Sequence, residues 1–256
     1  MNLKWSFIVN GNHSYLHDLC YHLDCADITV YEEGEEGIDL TTYFSSVHLN
    51  HLTNPNDIYS KAYQICSFLN GIEFLIYEDN TDRGHIRLEQ LIDITHNKVV
   101  QFNRNELIHH VDIDFSINQT TKKISNHLIA EIMAVLKSNT FMQNILFMCG
   151  QEKDFRAIYQ ILDEVKTYLS MNGTSLKNLG ISKDEIDLFK QTANNYQTLG
   201  LAARHGNLGH QKPKSPMTLA EAEHLIGRII RTTLENIVEF RLPYVNKQKD
   251  DVSSFL

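Results

Sequence analysis

The chain has 256 residues, 42% of them hydrophobic and 21% charged, with a formal net charge of −9. That composition supplies apolar material for one large core or two small ones and excludes a disordered or fibrous chain. An acidic protein is also not a general nucleic-acid binder, because neutralised phosphates carry most of that affinity. Any RNA contact must therefore come from a local basic patch.

The acid is unevenly spread. Residues 1–150 hold 9 Lys and Arg against 19 Asp and Glu, whereas residues 151–256 hold 14 against 13. The most apolar stretch, Phe141–Cys149, is nine residues long and includes Gln143 and Asn144; a membrane span needs about 20. The first apolar run stops at Val9 with no small-residue cleavage pattern after it. The expectation is a cytoplasmic protein with no membrane contact. Cys20, Cys25, Cys66 and Cys149 form no Cys-x-x-Cys pair and read as reduced thiols.

In chain order, Trp5–Val9 and the β-branched Asp27–Tyr31 predict strands, with a solvated turn over Glu32–Gly37. Ile58, Ala62, Ile65 and Leu69 have helical spacing after Asn54-Pro55-Asn56. Gly71–Tyr77, Lys98–Phe102 and the alternating His109–Ile117 read as strands. The period turns helical from about residue 124, over Ile124–Lys137 and Thr140–Cys149. Phe155, Ile158, Leu162, Val165 and Leu169 form one apolar stripe. Ser182 with Glu185 predicts a capping box opening a helix that carries Ile186, Phe189, Ala193, Tyr196, Gly200 and Ala203 to Gly206. Thr218 with Glu221 predicts a second box, opening a helix to about Phe240. The fold class is α+β: a mixed, mainly β N-terminal domain over 1–122, an α-helical bundle over 123–242 and a polar tail over 243–256.

The loop between the last two helices is where chemistry gathers. From Leu188 to Ala220 there is no Asp or Glu, while Arg204, His205, His210, Lys212 and Lys214 fall within eleven positions. A guanidinium presents a planar fork suited to phosphate, and imidazole titrates near neutral pH. Together they can cleave RNA without a metal. A histidine moves the proton of the ribose 2′-hydroxyl or of the leaving 5′-oxygen, and the arginine stabilises charge on the phosphorus oxygens. Lys212, Lys214 and Asn207 are candidate substrate contacts. The competing reading is structural: Arg204 and His205 end a helix, where cations meet its free carbonyls.

The spacing Arg204-x5-His210 resembles the Arg-x(4–6)-His signature of HEPN domains, helical bundles found in toxins, phage-defence proteins and RNA-processing nucleases. The segments FKQTANNYQTLGLAARHG, PKSPMTLAEAEHLI and KDFRAIYQILDEVKTYL also resemble HEPN-like modules, over about residues 125–240. The resemblance implies a metal-independent endoribonuclease that acts as a homodimer, with Arg204 and His210 at the matching positions and a regulatory protein as a further partner. Two departures are visible. Gly206 and Gly209 make the segment loop-like, and His205 competes with His210 for proton transfer. The alternative is a non-catalytic HEPN-like module that dimerises or binds RNA or a partner protein.

Other motifs are sparser. His13 and His17 are spaced for one helical face near His22, but no ligand pattern is complete, so neither a metal nor any other cofactor is expected. Asp112 and Asp114 share a strand face and read as solvated alternation. There is no Walker loop, Gly-rich dinucleotide motif, nucleophile elbow or His-Glu-x-x-His.

Overall fold

The computed structural model describes residues 2–23, 27–34, 40–76, 85–104, 128–136, 138–205 and 212–242. The chain divides into two compact units, one of residues 1–72 and 82–153, the other of 73–81 and 154–256. The protein is α+β, with its sheet in the N-terminal region and most of its helices after it.

The first unit is built on a five-stranded antiparallel sheet of order β2-β3-β1-β4-β5. Its strands are β1 (Trp5–Asn10), β2 (Ile28–Glu33), β3 (Thr41–Ser46), β4 (Arg87–Asp93) and β5 (Lys98–Val100). Central β1 buries the alternating Trp5, Phe7 and Val9 on one face, and the small Ser6 on the other. Phe7 lies opposite Phe44 of β3 and Leu91 of β4, and all three are fully buried. In β4 the register skips Glu89: Ile8 pairs with Gln90, but Val9 pairs with Leu88. This bulge lets Leu88 and Leu91, three residues apart, face the same core. The β4–β5 turn is held by Asp93, whose carboxylate accepts from the His96 amide at 3.1 Å and lies 2.8 Å from His96 Nδ1. The His96 side-chain bond lowers the Asp93 pKa.

Two helices lie in this first part of the chain. In α1 (His13–His22), Asn12 caps the start by accepting from the Tyr15 amide, and the Tyr15 hydroxyl donates to the Leu69 carbonyl at 3.0 Å. The long α2 (Pro55–Ile76) has proline at its first position, where a missing N–H costs nothing. The stretch Gly71–Tyr77, predicted as a strand, is instead the end of this helix as far as Ile76. Its six residues Gly71–Ile76 are all buried. A short run that is buried throughout, Glu73 included, carries no periodicity to separate a buried strand from a buried helix.

Helices α3 (Leu128–Leu136) and α4 (Thr140–Cys149) complete the first unit. The sequence places a boundary at 122/123; the compact units part at 153/154, with residues 73–81 grouped in the second. Glycine explains the grouping. A Cβ on Gly71 would stand 1.9 Å from the Leu146 carbonyl oxygen, and one on Gly150 1.7 Å from that of Ser67. The α2 and α4 backbones thus touch at two places that admit only hydrogen at Cα.

The second unit packs α5 (Phe155–Met171), α6 (Lys183–Ala193), α7 (Tyr196–Leu199) and α8 (Leu219–Thr233). The predicted stripe Phe155, Ile158, Leu162, Val165 and Leu169 is buried throughout, as are Ala222, Leu225, Ile226, Ile229 and Ile230 of α8. Each of these Val, Leu, Ile and Phe side chains contributes roughly 1.5–3 kcal/mol of burial. The Thr218–Glu221 capping box forms in both directions. The Ser182–Glu185 box does not: Ser182 makes no side-chain cap bond, and Glu185 instead pairs with Arg228 of α8 at 2.7 Å. α8 passes into a wider π-type turn over Leu234–Val238. No helix among the described residues is long and apolar enough to cross a membrane.

The strand expected over His109–Ile117, including Asp112 and Asp114, lies outside the described residues, as does the tail from residue 243.

Candidate nucleic-acid interface

The basic loop is positioned by an interruption that the apolar spacing did not foretell. α6 stops at Ala193 instead of running on to Gly206. Asn194 closes it. Asn195, fully buried, turns its side chain to accept from the amide and hydroxyl of Thr198, each at 2.9 Å, and so starts the short α7. Asparagine favours such caps because its amide competes locally with the helical backbone bonds. Gly200 then turns the chain at a positive φ of 56°, and a single 3₁₀ turn over Gly200–Ala202 leads to Arg204.

Arg204 is pinned at both ends. Its backbone N–H donates to the Ala193 carbonyl at 2.8 Å, which satisfies one of the carbonyls left open at the end of α6. Its guanidinium lies over the Tyr159 ring of α5, 4.0 Å from the centroid. The nearest carboxylate is Asp163 at 4.0 Å, beyond hydrogen-bond range and already bonded by Lys166 at 3.1 Å. The Arg204 side chain remains 38% exposed. This is a cation held in orientation with its donors still available. His205, next in sequence, is exposed.

Across the end of α6, Lys212 and Lys214 return on either side of the buried Pro213. With Asp187, Lys190, Gln191 and Asn194 of the α6 face they line a groove of about 490 Å³. Three lysines face one aspartate, so the groove is locally cationic within an acidic chain. Asn194 Oδ1 is buried in this wall without a hydrogen-bond partner. The segment from Pro213 is anchored nearby, where the Met217 amide donates to the buried Thr192 hydroxyl at 3.1 Å.

Of the sequence-level candidates, Arg204, His205, Lys212 and Lys214 are therefore placed at the α6 end. His210 and Asn207 lie outside the described residues. Sequence reasoning missed Tyr159, Lys190 and Asn194. Lys190 fell inside the acid-free window and was open to discovery there, but nothing near Tyr159 in the chain signals that it will meet an arginine 45 positions on.

Elsewhere, His13 and His17 stack at 6.0 Å, and His17 Nδ1 lies 3.6 Å from Glu32. Among the described residues no three His, Cys, Asp or Glu converge as metal ligands. Burial, with a smaller contribution from Glu32, pushes the Cys20 thiol up to about 11, and burial also raises Cys66. Neither is a thiolate nucleophile at neutral pH. Comparison of the chain with family models, with curated proteins and with solved structures returns no match.

Proposed function

We propose that the C-terminal unit engages RNA at the end of α6 and cleaves it as a metal-independent endoribonuclease of the HEPN type. The observation that carries this reading is an oriented, half-exposed guanidinium over α5, on a residue whose backbone closes α6, together with a three-lysine groove along the same α6. The lysines suit the phosphate backbone. In this reading Arg204 stabilises charge on the phosphorus oxygens and His210 or His205 transfers the proton. The resemblance adds a homodimer, a toxin or phage-defence setting and a regulatory protein partner.

A second reading has its own support: an interaction module that binds RNA or a partner protein without cleaving it. The Tyr159 ring and Asp163 give Arg204 a packing role that needs no substrate. The deciding experiment incubates labelled RNA with the purified protein in EDTA, beside Arg204→Ala and His210→Ala. Cleavage that survives chelation and is lost in both variants supports the nuclease. Binding without cleavage supports the module, and equal cleavage by all three proteins rejects the site. If His205→Ala alone abolishes cleavage, the proton carrier is His205.

A further inference from the structure

The first unit contains a cavity of about 440 Å³ that the nuclease reading does not use, within the size range of small-molecule sites. α2 supplies one wall. Tyr59, Tyr63, Ser67 and Asn70, spaced 4-4-3, share one helical face. Ser67 and Asn70 are only 2% and 4% exposed. Asn70 is spoken for, since its side chain accepts from the Ile86 amide at 2.9 Å and thereby ties β4 to α2. The Tyr63 hydroxyl donates to Gln151 Oε1. Phe102, which does not itself line the cavity, stacks on Tyr59 at 4.6 Å and 22° and holds that ring in place.

Opposite the helix, the strands bring charge. Arg87 opens β4, and Arg104 follows β5. Arg104 is oriented on three sides: it donates to the Glu89 carbonyl, bonds the Glu89 carboxylate at 3.1 Å and lies over the Phe102 ring at 5.7 Å. Arg87 is held loosely, 4.0 Å from Glu152, with side chains 68% and 90% exposed. A pair that long and that open is worth little in water and gives way to a better anion. An open cleft therefore combines an aromatic wall with two guanidiniums and two carboxylates along its solvent-facing rim.

The geometry points to this cavity as a binding site for a nucleoside monophosphate, with its phosphate on Arg87 and Arg104 and its base against the tyrosine wall. Two guanidiniums match a phosphate dianion in charge and fork geometry. Glu89 and Glu152 are acceptors for ribose hydroxyls or an exocyclic amine. An aromatic amino acid brings a carboxylate that fills one guanidinium fork, whereas a phosphate presents three oxygens that can engage both. This assignment concerns the first unit alone and stands whether or not the second cleaves RNA.

Isothermal titration of the full chain with each of the four ribonucleoside 5′-monophosphates tests it, beside the parent nucleosides, inorganic phosphate, tyrosine and tryptophan. At least one nucleotide should bind saturably and more tightly than its nucleoside and than phosphate. Arg87→Ala, at an exposed and loosely paired position, should weaken that binding by about tenfold or more with the melting temperature unchanged. Arg104→Lys, which keeps charge but loses the fork, should weaken it as well. No saturation by any nucleotide, nucleosides binding as tightly as nucleotides, tighter binding of an aromatic amino acid, or full affinity in Arg87→Ala would each overturn the assignment.

Discussion

Arg204 and Tyr159 show how much one side chain's setting decides. A cation over an aromatic face is worth about 0.5–1 kcal/mol when partly exposed, more than Arg204 gains from a shared carboxylate at 4.0 Å. The ring, not Asp163, therefore sets the direction of the guanidinium. Tyr159→Phe keeps the π face and should leave RNA cleavage and stability near wild type. Tyr159→Leu keeps an apolar side chain in the stripe beside Phe189 but removes that face. We expect it to lower cleavage about tenfold or more, because misaimed electrostatic stabilisation is costly, and to cost about 1–2 kcal/mol of stability through lost ring packing. Cleavage rates and urea denaturation of the two variants separate these outcomes. Equal rates in Tyr159→Leu and wild type would remove Arg204 from the chemistry.

At the scale of elements, glycine supplies a test with opposite signs. Helix propensity alone favours alanine over glycine by about 1 kcal/mol. At Gly71 a Cβ would collide with the Leu146 carbonyl at 1.9 Å, and backbone cannot move aside as a side-chain tip does. Gly71→Ala should therefore destabilise by about 3 kcal/mol or more, overpacking outweighing propensity. At Gly227, in α8, the nearest atom is a ring carbon of Phe74 at 3.6 Å, ordinary contact distance. Gly227→Ala should stabilise by about 0.5–1 kcal/mol. Urea midpoints of both variants check the pair, and like signs would show that the α2–α4 approach is looser than described.

The same elements show what the sequence could and could not disclose. Strands and helices with clean periods, such as β1 and α5, were legible because the large apolar residues of each gather on one face and the pattern is printed in the residues. β3 and β4 were not. β3 buries Thr42, Phe44, Ser45 and Ser46, only one of them a large hydrophobe, and the bulge at Glu89 puts Leu88 and Leu91 out of a period of two. The end of α6 was masked by the reverse effect. Apolar spacing persists from Ile186 to Ala203, but Asn195 caps a new helix within it. At the interface, the basic window was legible as a local property of the chain. The Arg204–Tyr159 contact was not, because it depends on how α5 and α6 pack.

At the scale of the whole molecule, a chain of net charge −9 can bind RNA only if its contacts are few and local. That requirement has a thermodynamic signature. Each phosphate neutralised on a single strand contributes about 0.7 to the slope of log affinity against log salt. Lys190, Lys212 and Lys214 line one groove, so replacing all three with glutamine should reduce the slope by about 2. Affinity at low salt should fall steeply, and the two salt curves should converge near the ionic strength at which the lysine contribution is screened away. Fluorescence anisotropy with a short single-stranded RNA, between about 50 and 200 mM salt, measures both slopes. His210→Ala, which leaves the three groove lysines in place, should lower cleavage while keeping most of the slope. Parallel lines for the wild type and the triple variant would place the RNA elsewhere on the chain. In that case the acid-free window from Leu188 to Ala220 would be a solvated surface rather than a docking site.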